Sequence, residues 1–398
     1  MSRAEDLSLP VKIIASEAFC ASGSNKNQIF EACINQKSAV TEGGLAAISQ
    51  DMWNQLSASQ NASDSHALLA SRHCLQKVLA DSQWSAAELA DCGFIFATTT
   101  SQIDQWQNSL PFFYMKSLSS EAISTAAKYQ SLGITMIQLQ KQFGIVGPSS
   151  VIASSCSASL QAISLAALWI KTGQVKRCIV GSTEILSDLT TNGFNSLRLL
   201  SKGICKPFDK DRNGINLGEA SAFLCLESAS VSSRPSLGYL SGFGLSSDAH
   251  NATSPHPEGK GSFTAMKMAL DQAKLAPEMI DWFHAHGTGS QVNDLAETKA
   301  IKSLFSNDNY KKAATSSTKS IHGHTLGACG ALEVVMALLS LKNNIVLPTY
   351  NTVSVDPSID LDIILKPQEK KLNHILKNSL GFGGINASVI LSKDLGKT

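Results

Sequence analysis

The stretch SVIASSCSASLQAISLAALWIKTGQVKRCIVG, residues 150–181, reads as strand, tight turn, apolar helix and second strand in close succession. Ser150–Ala153 is short and centred on Val151 and Ile152, Ala158–Ile170 is a helix-length run of Ala, Leu, Ile and Ser, and Cys178–Gly181 is strand-like again. A helix that is apolar on every side belongs inside a protein, and strands on both flanks set it beside a buried sheet. Working outward, Val11–Ile14, Gly93–Ala97 and Ala222–Leu226 are further apolar runs separated by helix-length segments. The fold class that follows is α/β with a largely buried sheet. A second stretch, HTLGACGALEVVMALLSLKNNIV at 324–346, repeats the order of Cys156–Val180: a polar reactive residue, a small-residue apolar helix, a basic residue and an Ile-Val strand. Two copies of one unit and two unrelated buried α/β units both fit this likeness. The Ser-rich segment Ser228–Ser236, with Pro235 near its end, precedes a new strand at Leu237–Phe243 and marks the midpoint of the architecture.

A chain of 398 residues accommodates two ordinary domains or one large duplicated one, and 43% hydrophobic content with 16% charge points to a large buried core. The formal net charge is +1, so no global field recruits nucleic acid or a membrane surface. The nine cysteines are odd in number, widely spaced and free of any C-x-x-C pair, which predicts a reduced, cytoplasmic protein. The N-terminus has no basic segment leading into a long apolar run, and Val11–Ala15 is too short for a signal peptide. The longest nearly apolar stretches, Ala158–Ile170 and Ala331–Leu341, fall short of the roughly 20 residues of a spanning helix, so no membrane span is expected.

Chemistry concentrates in four places. Cys156 lies in a Ser/Ala turn at the start of a buried helix, where free N–H groups and the macrodipole favour the thiolate, lower its pKa and can hold an oxyanion. Phe283-His284-Ala285-His286-Gly287-Thr288-Gly289-Ser290 is a strand end running into a Gly-containing loop, and Lys319-Ser320-Ile321-His322-Gly323-His324 precedes the second buried helix. Two neutral imidazoles donating to one oxygen can stabilise an enolate in a dry pocket. In Gly381-Phe382-Gly383-Gly384 the phenylalanine between glycines can act as a gate and lend its N–H. The competing reading is a metal-dependent hydrolase, because His284/His286 and His322/His324 are both H-x-H pairs with Asp294 and Glu297 nearby. That reading leaves Cys156 and the Phe382 loop without purpose.

Taken in order, these pieces resemble the β-ketoacyl-acyl carrier protein synthases of the chain-elongating type. The likeness runs from the N-terminal strand and Ala21-Ser-Gly-Ser24 through Cys156, Lys206-Pro-Phe-Asp-Lys-Asp-Arg-Asn-Gly214 and Gly218-Glu219 to His286-Gly-Thr-Gly289, Lys319–Gly327 and Gly381–Gly384. It implies a thiolase-like fold, two βαβαβαββ units in a five-layered αβαβα sandwich, divided here as 1–236 and 237–398. The resemblance makes Cys156 the nucleophile, His286 and His324 the paired histidines of the decarboxylating branch, and Lys319 the family lysine, with Glu297 as the acidic residue paired to it behind the site. Thr288 and Ser290 occupy positions that contact the carrier's pantetheine arm. Phe382 matches the gate, its N–H and that of Cys156 forming an oxyanion hole. No metal or redox cofactor is implied. Substrates ride on the phosphopantetheine of an acyl carrier protein, and the partners are that carrier and a dimer mate, the same chain or a related chain-length-determining subunit. A role as such a non-catalytic subunit is the alternative, although those subunits typically lack the cysteine.

Three departures from the family pattern suggest a specialised member, such as a synthase of polyenes or polyketides. His322 stands where Thr or Ser is common, Gly218-Glu-Ala-Ser221 replaces Gly-Glu-Gly-Ala, and Ser290-Gln-Val-Asn293 replaces Thr-Pro-Leu-Gly. All three are expected to line or flank the entrance. The stretch Gln102–Phe113 is expected near the dimer contact and the far end of the acyl pocket.

Overall fold

The computed structural model describes residues 10–58, 60–61, 64–107 and 119–394. The first half contributes β1 (Val11–Cys20), β2 (Gly93–Ala97), β3 (Ser149–Ile152), β4 (Arg177–Glu184) and β5 (Ala220–Ser228). The second contributes β6 (Gly238–Ser247), β7 (Trp282–His284), β8 (Ala314–Ser316), the short β9 (Asp362–Ile363), β10 (His374–Gly381) and β11 (Ile385–Ser392). Their order across one continuous sheet is β9-β8-β7-β10-β11-β6-β1-β5-β4-β2-β3. From the centre outward, the two halves read β1-β5-β4-β2-β3 and β6-β11-β10-β7-β8.

Strand direction repeats as well. β1/β5 and β5/β4 are antiparallel while β4/β2 and β2/β3 are parallel, and the same sequence of pairings runs β6/β11, β11/β10, β10/β7 and β7/β8. The halves are therefore two copies of one unit, joined where Val11, Lys12 and Ile13 pair with Leu240, Tyr239 and Gly238.

Helix α1 (His66–Ser82) covers β1, β4 and β5 on one outer face, and α4 (Lys260–Ala273) covers β6, β10 and β11 on the other. Between the halves lie α2 (Ala158–Lys171) and α6 (Cys329–Asn343), each touching strands of both, which completes the αβαβα layering. Their small residues permit that sandwich. A Cβ on Gly330 would come within 2.7 Å of Leu160 Cγ, and Ser159 Oγ accepts the Ala331 N–H at 3.0 Å. With its preceding turn, α6 extends over Leu326–Asn343, longer than the Ala331–Leu341 run suggests; 83% of it is buried inside the fold. It is the central core helix.

Each central helix is entered through a short 3-10 turn, Ser155–Ser157 for α2 and Leu326–Ala328 for α6. The first residue of each turn has left-handed backbone, φ +50° at Ser155 and +47° at Leu326. Non-glycine residues hold such values only where the surroundings enforce them. Of the Gln102–Phe113 stretch, residues 108–113 lie outside the described residues; Gln102 itself is buried and donates to Thr135 Oγ1 at 3.1 Å.

Candidate active site

Cys156 sits in the Ser155–Ser157 turn at the head of α2 and opens, 6% exposed, on a cavity of about 360 Å³. The same cavity is lined by His286, His324, Thr288, Ser290 and Phe382, so six of the eight residues to which the resemblance gives a role converge there. The Phe382 N–H lies beside the Cys156 sulfur, where it favours the thiolate. Burial pushes the thiol pKa well up, against the opposing pull of the Lys319 ammonium and the Phe382 N–H. This corrects the expectation of a lowered pKa, because enclosure of the sulfur outweighs its place at a helix start. Cys156 rests as a thiol.

His286 and His324 meet edge to face, ring centroids 5.1 Å apart at 86°. Burial first, then the charge of Lys319, lowers both, His324 to about 3 and His286 well below its ordinary value. Both rings are neutral at pH 7. His324 Nδ1 accepts the Leu326 N–H at 3.2 Å, which puts its own proton on Nε2. His286 Nδ1 is buried and has no partner among the described residues.

The other two histidines of the H-x-H pairs turn away from the cavity. His284 lies flat on Trp282 at 4.4 Å and hydrogen-bonds Thr318 Oγ1 at 3.2 Å; His322 meets the same hydroxyl at 2.9 Å and the Gly323 carbonyl at 2.7 Å. The carboxylates that a metal reading would borrow are committed to backbone. Asp294 accepts the N–H groups of Phe208, Thr288 and Gly289, and Glu297 those of His286 at 2.7 Å and Gly287 at 2.9 Å. Among the described residues no group of three or more His, Cys, Asp or Glu converges as a metal site.

Glu297 is consequently not the partner of Lys319, as the family likeness implied. It organises the His286 loop and accepts from Asn378 Nδ2 at 2.7 Å, while Lys319 Nζ pairs with Glu333 Oε1 at 2.6 Å. Lys377 Nζ pairs with the other oxygen of Glu333, also at 2.6 Å. Although burial opposes its charge, the two ammoniums hold the Glu333 carboxyl well below the usual range. Glu333 and Lys377 escaped sequence reasoning; Glu333 alone left a trace, as the single charge inside the apolar run Leu332–Leu341.

Thr288 Oγ1 donates to Ser290 Oγ at 3.2 Å, and Ser290 caps α5 (Gln291–Lys302). Phe382 stacks on Phe194 of α3 (Asp188–Ser196), centroids 5.4 Å apart at 20°, with Gly383 and Gly384 at φ +84° and +72° completing the turn behind it. Phe194, unnoticed in the sequence, also lines the cavity. Of the three departures, only Ser290–Asn293 lines the entrance. His322 and Ser221 are fully buried away from it, and Glu219 accepts the N–H groups of Ile48 and Leu186.

Several known proteins are similar to this chain in sequence or in fold. The 3-oxoacyl-[acyl-carrier-protein] synthase 2 of Coxiella burnetii is 38% identical over 263 residues, 63% of this chain and 63% of that protein; the chain thus spans about 63% of the length of that curated relative. A ketosynthase solved in complex with its chain length factor from Xenorhabdus doucetiae superposes with TM-score 0.84 at 28% identity, covering 97% of this chain and 98% of that one. A beta-ketoacyl synthase from Burkholderia phymatum gives TM-score 0.83 at 25% identity over 97% and 100%. The beta-ketoacyl synthase N-terminal domain matches residues 10–232 and its C-terminal domain matches 237–353. By those matches, which together take in Cys156, His286 and His324, the chain belongs to the beta-ketoacyl synthase family.

Proposed function

We propose that the chain is an active β-ketoacyl-[acyl carrier protein] synthase that lengthens a carrier-bound acyl chain by decarboxylative condensation. The observation that carries this reading is the neutral His286–His324 pair facing the same cavity as Cys156, with the Phe382 N–H on the sulfur. Cys156 sulfur attacks the carbonyl of an acyl thioester, the carbon–sulfur bond to the carrier breaks, and the thiol proton leaves with the carrier's pantetheine sulfur. A malonyl thioester then loses its carboxylate as carbon dioxide, and the electron pair of the broken carbon–carbon bond becomes an enolate whose oxygen takes hydrogen bonds from His286 and His324. The enolate carbon attacks the acyl-Cys156 carbonyl, whose oxygen is held by the N–H groups of Cys156 and Phe382. Cys156 leaves as thiolate, takes a proton from water, and a β-ketoacyl chain two carbons longer stays on the carrier.

Neutral imidazoles suit this step because they donate without protonating the enolate, and each donor is worth roughly 3 kcal/mol, about a hundredfold in rate. The cycle calls for no metal or redox cofactor; phosphopantetheine arrives as part of the carrier, and Thr288 and Ser290 suit its amides. The carrier and a dimer mate are the partners. The X. doucetiae ketosynthase was solved with a chain length factor, and the open edge of β3 offers a face for either an identical or a related subunit. Retention of Cys156, His286 and His324 favours the catalytic over the chain-length-determining role. A cytoplasmic site of action accords with nine free cysteines.

Intact-mass measurement with a panel of acyl carriers tests the reading. An adduct on Cys156 that disappears on adding malonyl carrier, with a product two carbons longer, is expected. His324→Ala should keep acylation and lose carbon dioxide release about a hundredfold. No adduct on Cys156, or one indifferent to malonyl carrier, overturns the proposal.

A further inference from the structure

Behind the imidazole pair, one buried carboxylate gathers three segments that the chemistry needs in register. Glu333 Oε1 holds Lys319, five residues before His324, and Glu333 Oε2 holds Lys377, five residues before Phe382. Lys377 Nζ also donates to the Ala285 carbonyl at 3.0 Å, on the residue preceding His286. All three charged side chains are 0–1% exposed. Lys377 is therefore the point at which the strand leading to Phe382 and the loop carrying His286 are tied, through Glu333, to the segment carrying His324.

The other half of the molecule shows that the fold does not require these charges. Counted from the start of each element, Glu333 on α6 corresponds to Ala162 on α2, and Lys377 on β10 to Val180 on β4. Ala162 and Val180 are fully buried in a half with the same strand order. A buried ion pair where an apolar pair serves architecture equally well is weak evidence for stability and points to a specific use.

We propose that Lys377 is a positioning residue for the decarboxylation step, its side chain tethering the His286 loop and the segment carrying His324 to the β10 strand through the Ala285 carbonyl and Glu333. This rests on the decarboxylative reading above. Two donors stabilise one enolate oxygen only when both rings hold their places, and a displacement of an ångström can cost a hundredfold. Acylation of Cys156 depends instead on the sulfur and the Phe382 N–H, which the Ser155–Ser157 turn and the backbone ladder of β10 with β11 hold whatever side chain stands at position 377. The charge of Lys377 is also among those that keep both imidazoles neutral.

The test is a ratio measured on one preparation: carbon dioxide released from malonyl-pantetheine over acyl transfer from an acyl-pantetheine to Cys156. The fraction of folded protein cancels from that ratio. Lys377→Met is expected to lower it roughly tenfold to a hundredfold, through kcat for decarboxylation more than KM, and Lys377→Arg to recover most of the loss. Should Lys377→Met not accumulate as folded protein, Lys377→Gln, which keeps a donor but no charge, is expected to lower the same ratio. A ratio within about twofold of wild type in the neutral variant, or an Arg variant as impaired as the neutral one, overturns the role of Lys377 alone. A wild-type chain that acylates Cys156 yet releases no carbon dioxide overturns the proposed function, and this role with it.

Discussion

The turn that opens α2 and the turn that opens α6 have the same shape and opposite contents. Ser155 and Leu326 begin them with near-equal left-handed φ, and each is followed within three residues by a buried helix of the central layer. At the second position of the turn the first half has Cys156, and the second has Gly327. Five residues into the corresponding helices, the first half has Ala162 and the second Glu333. One copy thus presents the Cys156 thiol on an apolar support, while the other presents imidazoles backed by a buried ion cluster. The two meet at the helix heads, where Cys329 Sγ donates to the Cys156 carbonyl at 3.1 Å. Duplication provides a symmetric frame, and the chemistry comes from what the copies no longer share.

Charge in the second copy gives the strongest way to break that comparison. Glu333→Gln would leave Lys319 and Lys377 buried without a counter-ion between them, and removing one partner of such a cluster costs about 3–5 kcal/mol. Denaturant unfolding should record a loss of that order, whereas Ala162→Ser, at the corresponding place in the first copy, should lose far less. An unchanged midpoint for Glu333→Gln would mean that the ion cluster is not what separates the halves.

A smaller effect is expected where the turns differ. Gly327 is bound by steric room: a Cβ there would lie 2.6 Å from Glu184 Oε1, and Glu184 is itself fixed by the Thr99 N–H at 2.5 Å and the Thr100 hydroxyl at 2.7 Å. Gly327→Ala should therefore destabilise the chain by about 1–3 kcal/mol, as overpacking does. A midpoint equal to wild type would show that Glu184 yields freely and that the glycine is not required by this contact.

The two central helices and most strands were legible because apolar runs and their lengths are local properties. Cys156, His286, His324 and Phe382 were legible because each sits in a short motif whose chemistry is local too. What escaped depends on the third dimension. Lys319 finds its carboxylate 14 positions away on α6 rather than on Glu297, since Glu297 is taken up by the N–H groups of His286 and Gly287. No local pattern reports that commitment. Enclosure of the Cys156 sulfur is likewise invisible to a rule about helix starts, and so is the burial of His322 and Ser221, which sequence alone had set at the entrance.

Acid titration separates the halves most finely. Burial raises Glu184 in the first copy to about 7, whereas burial lowers His324 in the second to about 3. Between those values the two act with opposite sign. Folded Glu184 holds a proton that the unfolded chain releases above about 4.3, so its contribution to stability grows as pH falls from 7 toward 4.5. Folded His324 refuses a proton that the unfolded chain takes up below about 6.5, so its contribution shrinks over the same interval. In the wild-type chain the slopes oppose each other. Glu184→Gln removes one compensating slope, and unfolding free energies from urea titrations at pH 7 and pH 5 should then diverge by on the order of 1–2 kcal/mol more than in wild type, the variant being the weaker at pH 5. Equal divergence in the two proteins would mean that Glu184 is ionised in the folded state across this range, with the hydroxyl and N–H groups of Thr99 and Thr100 outweighing its burial.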